Sequence, residues 1–471
     1  MDKKVHLQSK SKIFLISICL LSTLLGVVIG VYIYEGHTKY LFVIFVLACS
    51  FIGLYFLIYR NVKSEKLDLS TLILGIYVFL FSIGRVSISR IDYFNRQFPI
   101  HLFVLPIILI LYITKKFLRR RKSYNVKNLL YKEIIFSALL IISLYASIFM
   151  ARNRTDAFIT TVELSVYFLG YFVFSYLVTS FRLWIKLLWV YVLTTSIILL
   201  NSIYQFFISP LHYARLVASD IKGPNQYSLT LLFGFLLFFG LMFSEDNWKK
   251  RAVYILMMSL FGLGIFLTFS RGTWISVSIG VMIFLLSSLK YKSVRKTLPI
   301  VLLSLIVILS ISIIGIINDR NIMELIEAYK IRAVASSAER IYIYNETFNK
   351  IKDSPILGIG LGQVISYELR YDYDLKNAHS SYLGIWVGSG IFALIFFLLF
   401  LLQHGVNLLR IRGQLNRNGL WGNILFTSFV TFAILILVKN SIFDSVLWGM
   451  LALQGAAINV YSIERSSDTK K

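Results

Sequence analysis

Three short polar segments carry most of what could do chemistry in this sequence. Gly223-Pro224-Asn225 opens an apolar run, Ser270-Arg271-Gly272 divides two apolar runs, and Ala378-His379-Ser380-Ser381-Tyr382-Leu383 opens another. Proline suits the first turn of a helix and glycine allows close backbone approach, so 220–230 reads as a helix start. An arginine between apolar runs is either a snorkelling anchor or a cation facing a cavity. A histidine at a helix N-terminus meets partial positive charge there, which favours the neutral imidazole. A neutral imidazole can take a proton from a hydroxyl. Taken singly, each segment also has a plain structural account as helix start, membrane anchor or boundary residue.

The elements that must position these residues follow from composition. The chain has 471 residues, is 57% hydrophobic and only 15% charged, and has a mean hydropathy of +0.74. A soluble fold of this size could not hide so much apolar surface, and the hydrophobicity excludes disorder. Cys19 and Cys49 both lie in apolar runs, with no Cys/His cluster to suggest a disulfide scaffold or zinc site. The first apolar run follows MDKKVHLQSKSK without a small-residue cleavage site, so it is expected to be an uncleaved first span.

Runs of about 20 apolar residues, the length of a span, occur near 13–34, 40–59, 69–88, 98–117, 133–150, 157–179, 185–207, 226–243, 252–270, 272–289, 298–317, 381–407, 420–438 and 443–462. This predicts an all-α polytopic membrane protein of about 12 to 14 transmembrane helices, with ambiguous junctions at 270–272, at 438–443 and at the start of the second span. The formal charge of +25 concentrates in alternate short loops, such as RNVKSEK (60–66), the segment 115–132, KYKSVRK (290–296) and 408–417. That alternation places both termini in the cytoplasm and makes the basic excess a topology signal, with no nucleic-acid partner implied.

One loop differs. Residues 318–380 hold nine acidic and eight basic residues, so this stretch is nearly neutral and is expected on the outside. Ser336 and Glu339 have capping-box spacing, and Ile341, Tyr344, Phe348 and Ile351 recur at helical spacing to make an apolar face. The following DSPILGIGLG (353–362) reads as a tight loop. The chain thus divides into N-terminal helices (1–219), helices carrying the first two motifs (220–317), the large loop (318–380) and C-terminal helices (381–471). On this topology the helices that start at Pro224, near Arg271 and near Ser381 all point their N-termini outward. Their unpaired N–H groups, together with Arg271, describe an anion site.

These segments, in this order, resemble the O-antigen ligase and Wzy-type polysaccharide polymerase family over about residues 220–400. The pattern is Gly223-Pro224-Asn225, then Ser270-Arg271-Gly272, then Arg340 leading a loop helix that ends in Pro355-Ile356-Leu357-Gly358-Ile359-Gly360, then Ala378-His379-Ser380-Ser381-Tyr382-Leu383. One departure is Ser380, where many members have asparagine. The resemblance implies a GT-C-like glycosyltransferase, free of cofactor and metal, in the bacterial cytoplasmic membrane. Its donor would be a glycan on undecaprenyl diphosphate at the outer leaflet. The acceptor would be a glycan, wall or lipid hydroxyl, with other polysaccharide assembly proteins as possible partners. By motif position, Arg271, Arg340 and His379 are the expected catalytic residues. Arginine binds phosphate bidentately and stays charged, histidine can act as the base, and direct displacement by a hydroxyl would invert the sugar. Arg215, Asn225, Tyr344 and Tyr382 complete the expected substrate contacts. Polymerase and ligase share these motifs. A transporter or flippase of a lipid-linked glycan is the alternative reading. Against it stand the absence of internal repeats and the clustering of unusual residues in one half.

Overall fold

The computed structural model describes residues 69–83, 87–91, 96–99, 130–208, 216–217, 224–291, 294–295, 298–299, 338, 340–363, 378–412 and 420–468. The expected spans at 13–34, 40–59 and 98–117, and nearly all of 298–317, lie outside these residues. Every other expected span is a helix. In chain order these are α1 (Leu69–Ile83), α2 (Tyr131–Ser147), α3 (Arg154–Leu177), α4 (Phe181–Ile208), α5 (Pro224–Ser244), α6 (Trp248–Leu267), α7 (Arg271–Ser288), a loop helix α8 over 340–353, α9 (Ser381–Ile411), α10 (Leu420–Leu435) and α11 (Ser445–Asp468). The protein is an all-α polytopic membrane protein. Eight described helices are long and apolar enough to cross a bilayer. One small addition lies in the loop after α1: strands β1 (Ser87–Ile91) and β2 (Arg96–Pro99) pair antiparallel, with Arg90 opposite Gln97.

Two of the ambiguous junctions resolve into turns, and the third, at the start of the second span, lies outside the described residues. Residues 268–270 separate α6 from α7, and 436–444 separate α10 from α11. Polar residues fix several helix starts. Asn153 accepts from the Asp156 N–H and Asn247 from Lys249 and Lys250, caps worth about 1 kcal/mol each.

Burial separates the helices into core and rim. The apolar windows of α5 and α11 are 89% and 94% buried, whereas those of α6 and α7 are 22% and 28% buried. The rim helices turn Leu256, Met282 and Leu286 outward, as lipid-facing spans do. The helices approach closely at small residues. Gly455 of α11 faces Tyr171 and Ser175 of α3, and Gly280 of α7 faces Thr431 of α10.

A buried polar network binds the bundle in the half away from the start of α9. Glu133 of α2 and His404 of α9 are fully buried. Glu133 accepts from Asn407 Nδ2 at 2.6 Å and from the Tyr171 hydroxyl, and its Oε2 lies 3.3 Å from His404 Nδ1. The Gln454 amide donates to the Leu425 carbonyl and to Ser428, so its oxygen faces His404 Nε2 at 3.1 Å. That nitrogen must therefore carry a hydrogen. The network joins α2, α3, α9, α10 and α11. Glu163 lies part-buried in α3.

Helix α9 is broken near its start. Gly390 has φ 79° and ψ 179°, which interrupts the helical hydrogen bonds. The loop 354–363 repairs the break. Ile359 N donates to Val387 O at 2.9 Å, Gly360 N to Gly388 O at 2.9 Å, and Ile391 N to Pro355 O at 3.0 Å. Irregular backbone in a membrane protein persists where such partners satisfy it. The loop and α9 approach so closely that a Cβ on Gly358 would sit 2.5 Å from the Gly388 carbonyl carbon, and one on Gly390 would sit 1.8 Å from Ile356 O. Both glycines also hold positive φ, which side chains resist.

Candidate active site

The three polar segments meet at one end of the bundle, and the α10–α11 turn joins them. Pro224 is the first residue of α5, as its fixed φ suits, and Asn225 follows it, exposed. Arg271 is the first residue of α7, part-buried, with Ser270 in extended conformation before it. Ser228 of α5 and Ser270 both reach the Thr273 hydroxyl, at 2.7 Å and 2.9 Å, so the starts of α5 and α7 are held together. Phe269, just before, has the left-handed φ of 50°, an uncommon conformation for a large side chain. It makes the sharp turn that brings Arg271 to the head of its helix.

The histidine motif builds the third helix start. Ser380 is the N-cap of α9 and its hydroxyl accepts from Leu383 N. His379 therefore stands just outside the cap, part-buried. Ser381 reaches across to the α10–α11 turn: its hydroxyl donates to Lys439 O at 3.1 Å and accepts from Ser441 N at 2.9 Å, while its own N–H donates to Ile436 O at 2.9 Å.

The same turn contacts the other two starts. The Lys439 ammonium donates to the Asn225 carbonyl. A Cβ on Gly272 would come within 2.8 Å of Val438 Cγ2, so only glycine lets α7 seat against the turn without displacing it. Asp444 caps α11 by accepting from Val446 N at 3.0 Å, and its second oxygen is buried without a hydrogen-bond partner. Burial pushes the Lys439 ammonium down to about 8, against the pull of Asp444. Sequence reasoning missed Lys439 and Asp444. The available signal was a lysine in a short loop on the side where basic residues are otherwise scarce.

Arg340 is placed differently. It begins the described run of α8, part-buried. The helix reaches the start of α9 through its other end, where Ile351 packs with Ala378 and Val387. Eleven residues of helix put Arg340 about 16 Å along the axis from Ile351. The apolar face expected at Ile341, Tyr344, Phe348 and Ile351 is rotated. The buried stripe is Ile343, Thr347 and Ile351, while Ile341 and Phe348 are exposed and Tyr344 is part-buried. The i, i+4, i+8 stripe wins because Ile351 is the residue that meets α9, and a threonine can join it by bonding its hydroxyl to Ile343 O. Tyr382 donates its hydroxyl to Ala433 O at 3.0 Å, so its polar tip ties α9 to α10. Arg215, Lys222, Ser336, Glu339, Asp372 and Asp374 lie outside the described residues.

The starts of α5, α7 and α9 thus meet at one turn, with Arg271 and His379 at the helix starts and Lys439 in the turn itself. Residues 255–398 match the family model described as O-antigen ligase. The O-antigen ligase match runs from α6 into α9 and takes in Arg271, Arg340, the 355–360 loop and His379. Asn225 and Lys439 fall outside it. No curated protein matches the chain. The O-antigen ligase match and the order of the motifs point to the same family. They support an O-antigen ligase or polymerase type of function in a multi-pass membrane protein.

Proposed function

We propose that this protein is a membrane glycosyltransferase that polymerises, or ligates, undecaprenyl-diphosphate-linked oligosaccharide on the outer face of the cytoplasmic membrane. The observation that carries this reading is the convergence of Asn225, Arg271 and His379 on one turn, at three helix starts. Reaction at such a site is a direct displacement without a metal ion. The acceptor hydroxyl attacks the anomeric carbon of the donor sugar, and the bond from that carbon to the diphosphate oxygen breaks. The electron pair leaves with the diphosphate. His379 takes the proton of the attacking hydroxyl, which raises its nucleophilicity as the new bond forms. Arg271 and Arg340 meet the negative charge that grows on the leaving group, and the helix N-termini add fixed dipoles aimed at it. Attack opposite the leaving group inverts the anomeric centre. Asn225 and Tyr344 orient the sugars at the rim of the site.

The orientation rests on the alternation of basic loops, which puts the starts of α5, α7 and α9 outside. Purified protein given a polyprenyl-diphosphate oligosaccharide should extend or transfer the glycan. Arg271→Ala, Arg340→Ala and His379→Ala should each lose that activity with the fold intact. Flipping of the lipid without transfer would replace this reading with a transporter.

A further inference from the structure

A cavity of about 710 Å³ lies at the α2–α3 turn, where Ala151, Arg152, Asn153, Arg154 and Gln363 line it. That volume is in the range of ligand-binding cavities, and all but one of these side chains are polar. Arg152 and Arg154 are exposed and make no hydrogen bond or ion pair among the described residues. The carboxylate of this turn, Asp156, is held by Asn153, with Nδ2 to Oδ2 at 2.6 Å. Each guanidinium offers five donors in a flat fork, which matches paired oxygens such as adjacent sugar hydroxyls or a sugar carboxylate.

The cavity is tied to the reaction site through Gln363. Its amide oxygen accepts from Asn153 N at 3.1 Å, and its Nε2 donates to Asn153 O at 3.0 Å. The glycine loop is wedged behind it: a Cβ on Gly360 would meet Ala151 Cβ at 2.4 Å, and one on Gly362 would meet Thr160 Oγ1 at 2.5 Å. Gln363 also borders a second, smaller cavity, of about 30 Å³, shared with Gly362, Ala378, Gly384 and Asn440. Ala378 precedes His379 in the chain. One side chain thus stands between the large cavity and the histidine segment. Helix register sets their relative height. Helices α3 and α11 run side by side in the same direction, with Tyr167 stacked on Trp448 and Tyr171 against Gly455. Tyr171 comes 17 residues after Arg154, whereas Gly455 comes only 10 after Ser445. Helix α3 therefore extends about 10 Å beyond the start of α11, and the large cavity stands above the α10–α11 turn.

We propose that this cavity is the acceptor subsite, in which Arg152 and Arg154 grip paired oxygens of the acceptor glycan while its terminal hydroxyl descends past Gln363 to His379. The proposal rests on the functional reading above and adds to it residues of α3 and of the α2–α3 turn, which that reading does not use. A donor held by its lipid approaches from the bilayer, so the space beyond the start of α11 is left to the acceptor.

The test measures two KM values on the purified full chain. The donor is a polyprenyl-diphosphate oligosaccharide, and the acceptor is the same oligosaccharide freed of its lipid by mild acid. The double variant Arg152→Ala/Arg154→Ala should raise the KM for the free oligosaccharide about tenfold or more, the size expected for losing hydrogen bonds from charged groups. The KM for the lipid-linked donor and the melting temperature should not change, since neither arginine holds another part of the fold. An unchanged acceptor KM in the double variant, with transfer by the wild type, would overturn the proposal and leave the functional reading standing. A rise in the donor KM of the same size would also overturn it, because the cavity would then belong to the donor. So would growth of lipid-linked chains by a wild type that ignores the free oligosaccharide. A wild type that transfers glycan to neither acceptor would overturn both readings.

Discussion

Ser380 accounts for the one departure from the motif pattern. The residue after His379 is a helix N-cap, and its hydroxyl accepts from Leu383 N. Serine and asparagine serve that purpose equally, so the exchange leaves the histidine where it was. We expect Ser380→Asn to keep full activity. Ser380→Ala should cost about 1 kcal/mol of stability, read as a lower melting temperature in detergent. It should also reduce turnover by loosening His379. His379→Ala should lower kcat by about 10²–10⁴-fold with little change in melting temperature. The placement of Arg271 and His379 at helix starts was legible in the sequence because each stands where an apolar run begins. Lys439 was not, because a lysine in a short polar turn has no neighbours in sequence that reveal its neighbours in space. Its partners Asn225 and Ser381 are 214 and 58 residues away.

At the scale of elements, the glycines of the 354–363 loop have a mechanical purpose. They let the loop dock into the break in α9 and supply Val387 O and Gly388 O with the donors that the break removes. The expectation of a tight loop was right about its glycines and silent about their partner, since backbone pairing with α9 leaves no hydropathy pattern. We expect Gly390→Ala to be more damaging than an ordinary helix substitution, because the new Cβ would collide with Ile356 O. Protease sensitivity of the loop should rise and activity should fall together. The described spans were readable from run length, down to the helix start marked by Pro224. The face of α8 was misread because Ile341 and Phe348 have helical spacing yet the helix docks through Ile343, Thr347 and Ile351. Spacing shows that a stripe exists; the neighbour decides which stripe is buried.

At the scale of the molecule, the buried polar network and the proposed site occupy different ends. His404 lies 23 residues after Ser381 on α9, about 35 Å along the helix. The Glu133–His404–Gln454 network should therefore act on the fold and not on the reaction. Removing one partner of a buried hydrogen-bonded pair leaves the other's polar atoms unsatisfied, and we expect Glu133→Ala or His404→Ala to cost about 1–3 kcal/mol. Thermal unfolding in detergent measures this. The surviving folded fraction should retain the wild-type KM for donor. Composition foretold a membrane bundle, but not that a glutamate at the first turn of α2 would be sealed inside it, since Glu133 stands beside the basic segment 115–132 and reads as one more loop charge. The central claim is that one cationic site at the starts of α5, α7 and α9 transfers a glycan from a polyprenyl diphosphate. The direct measurement is product length after purified protein is incubated with a polyprenyl-diphosphate oligosaccharide. The account predicts glycan transfer by the wild type and none by Arg271→Ala or His379→Ala, all three melting alike. Undiminished transfer by both variants would contradict it.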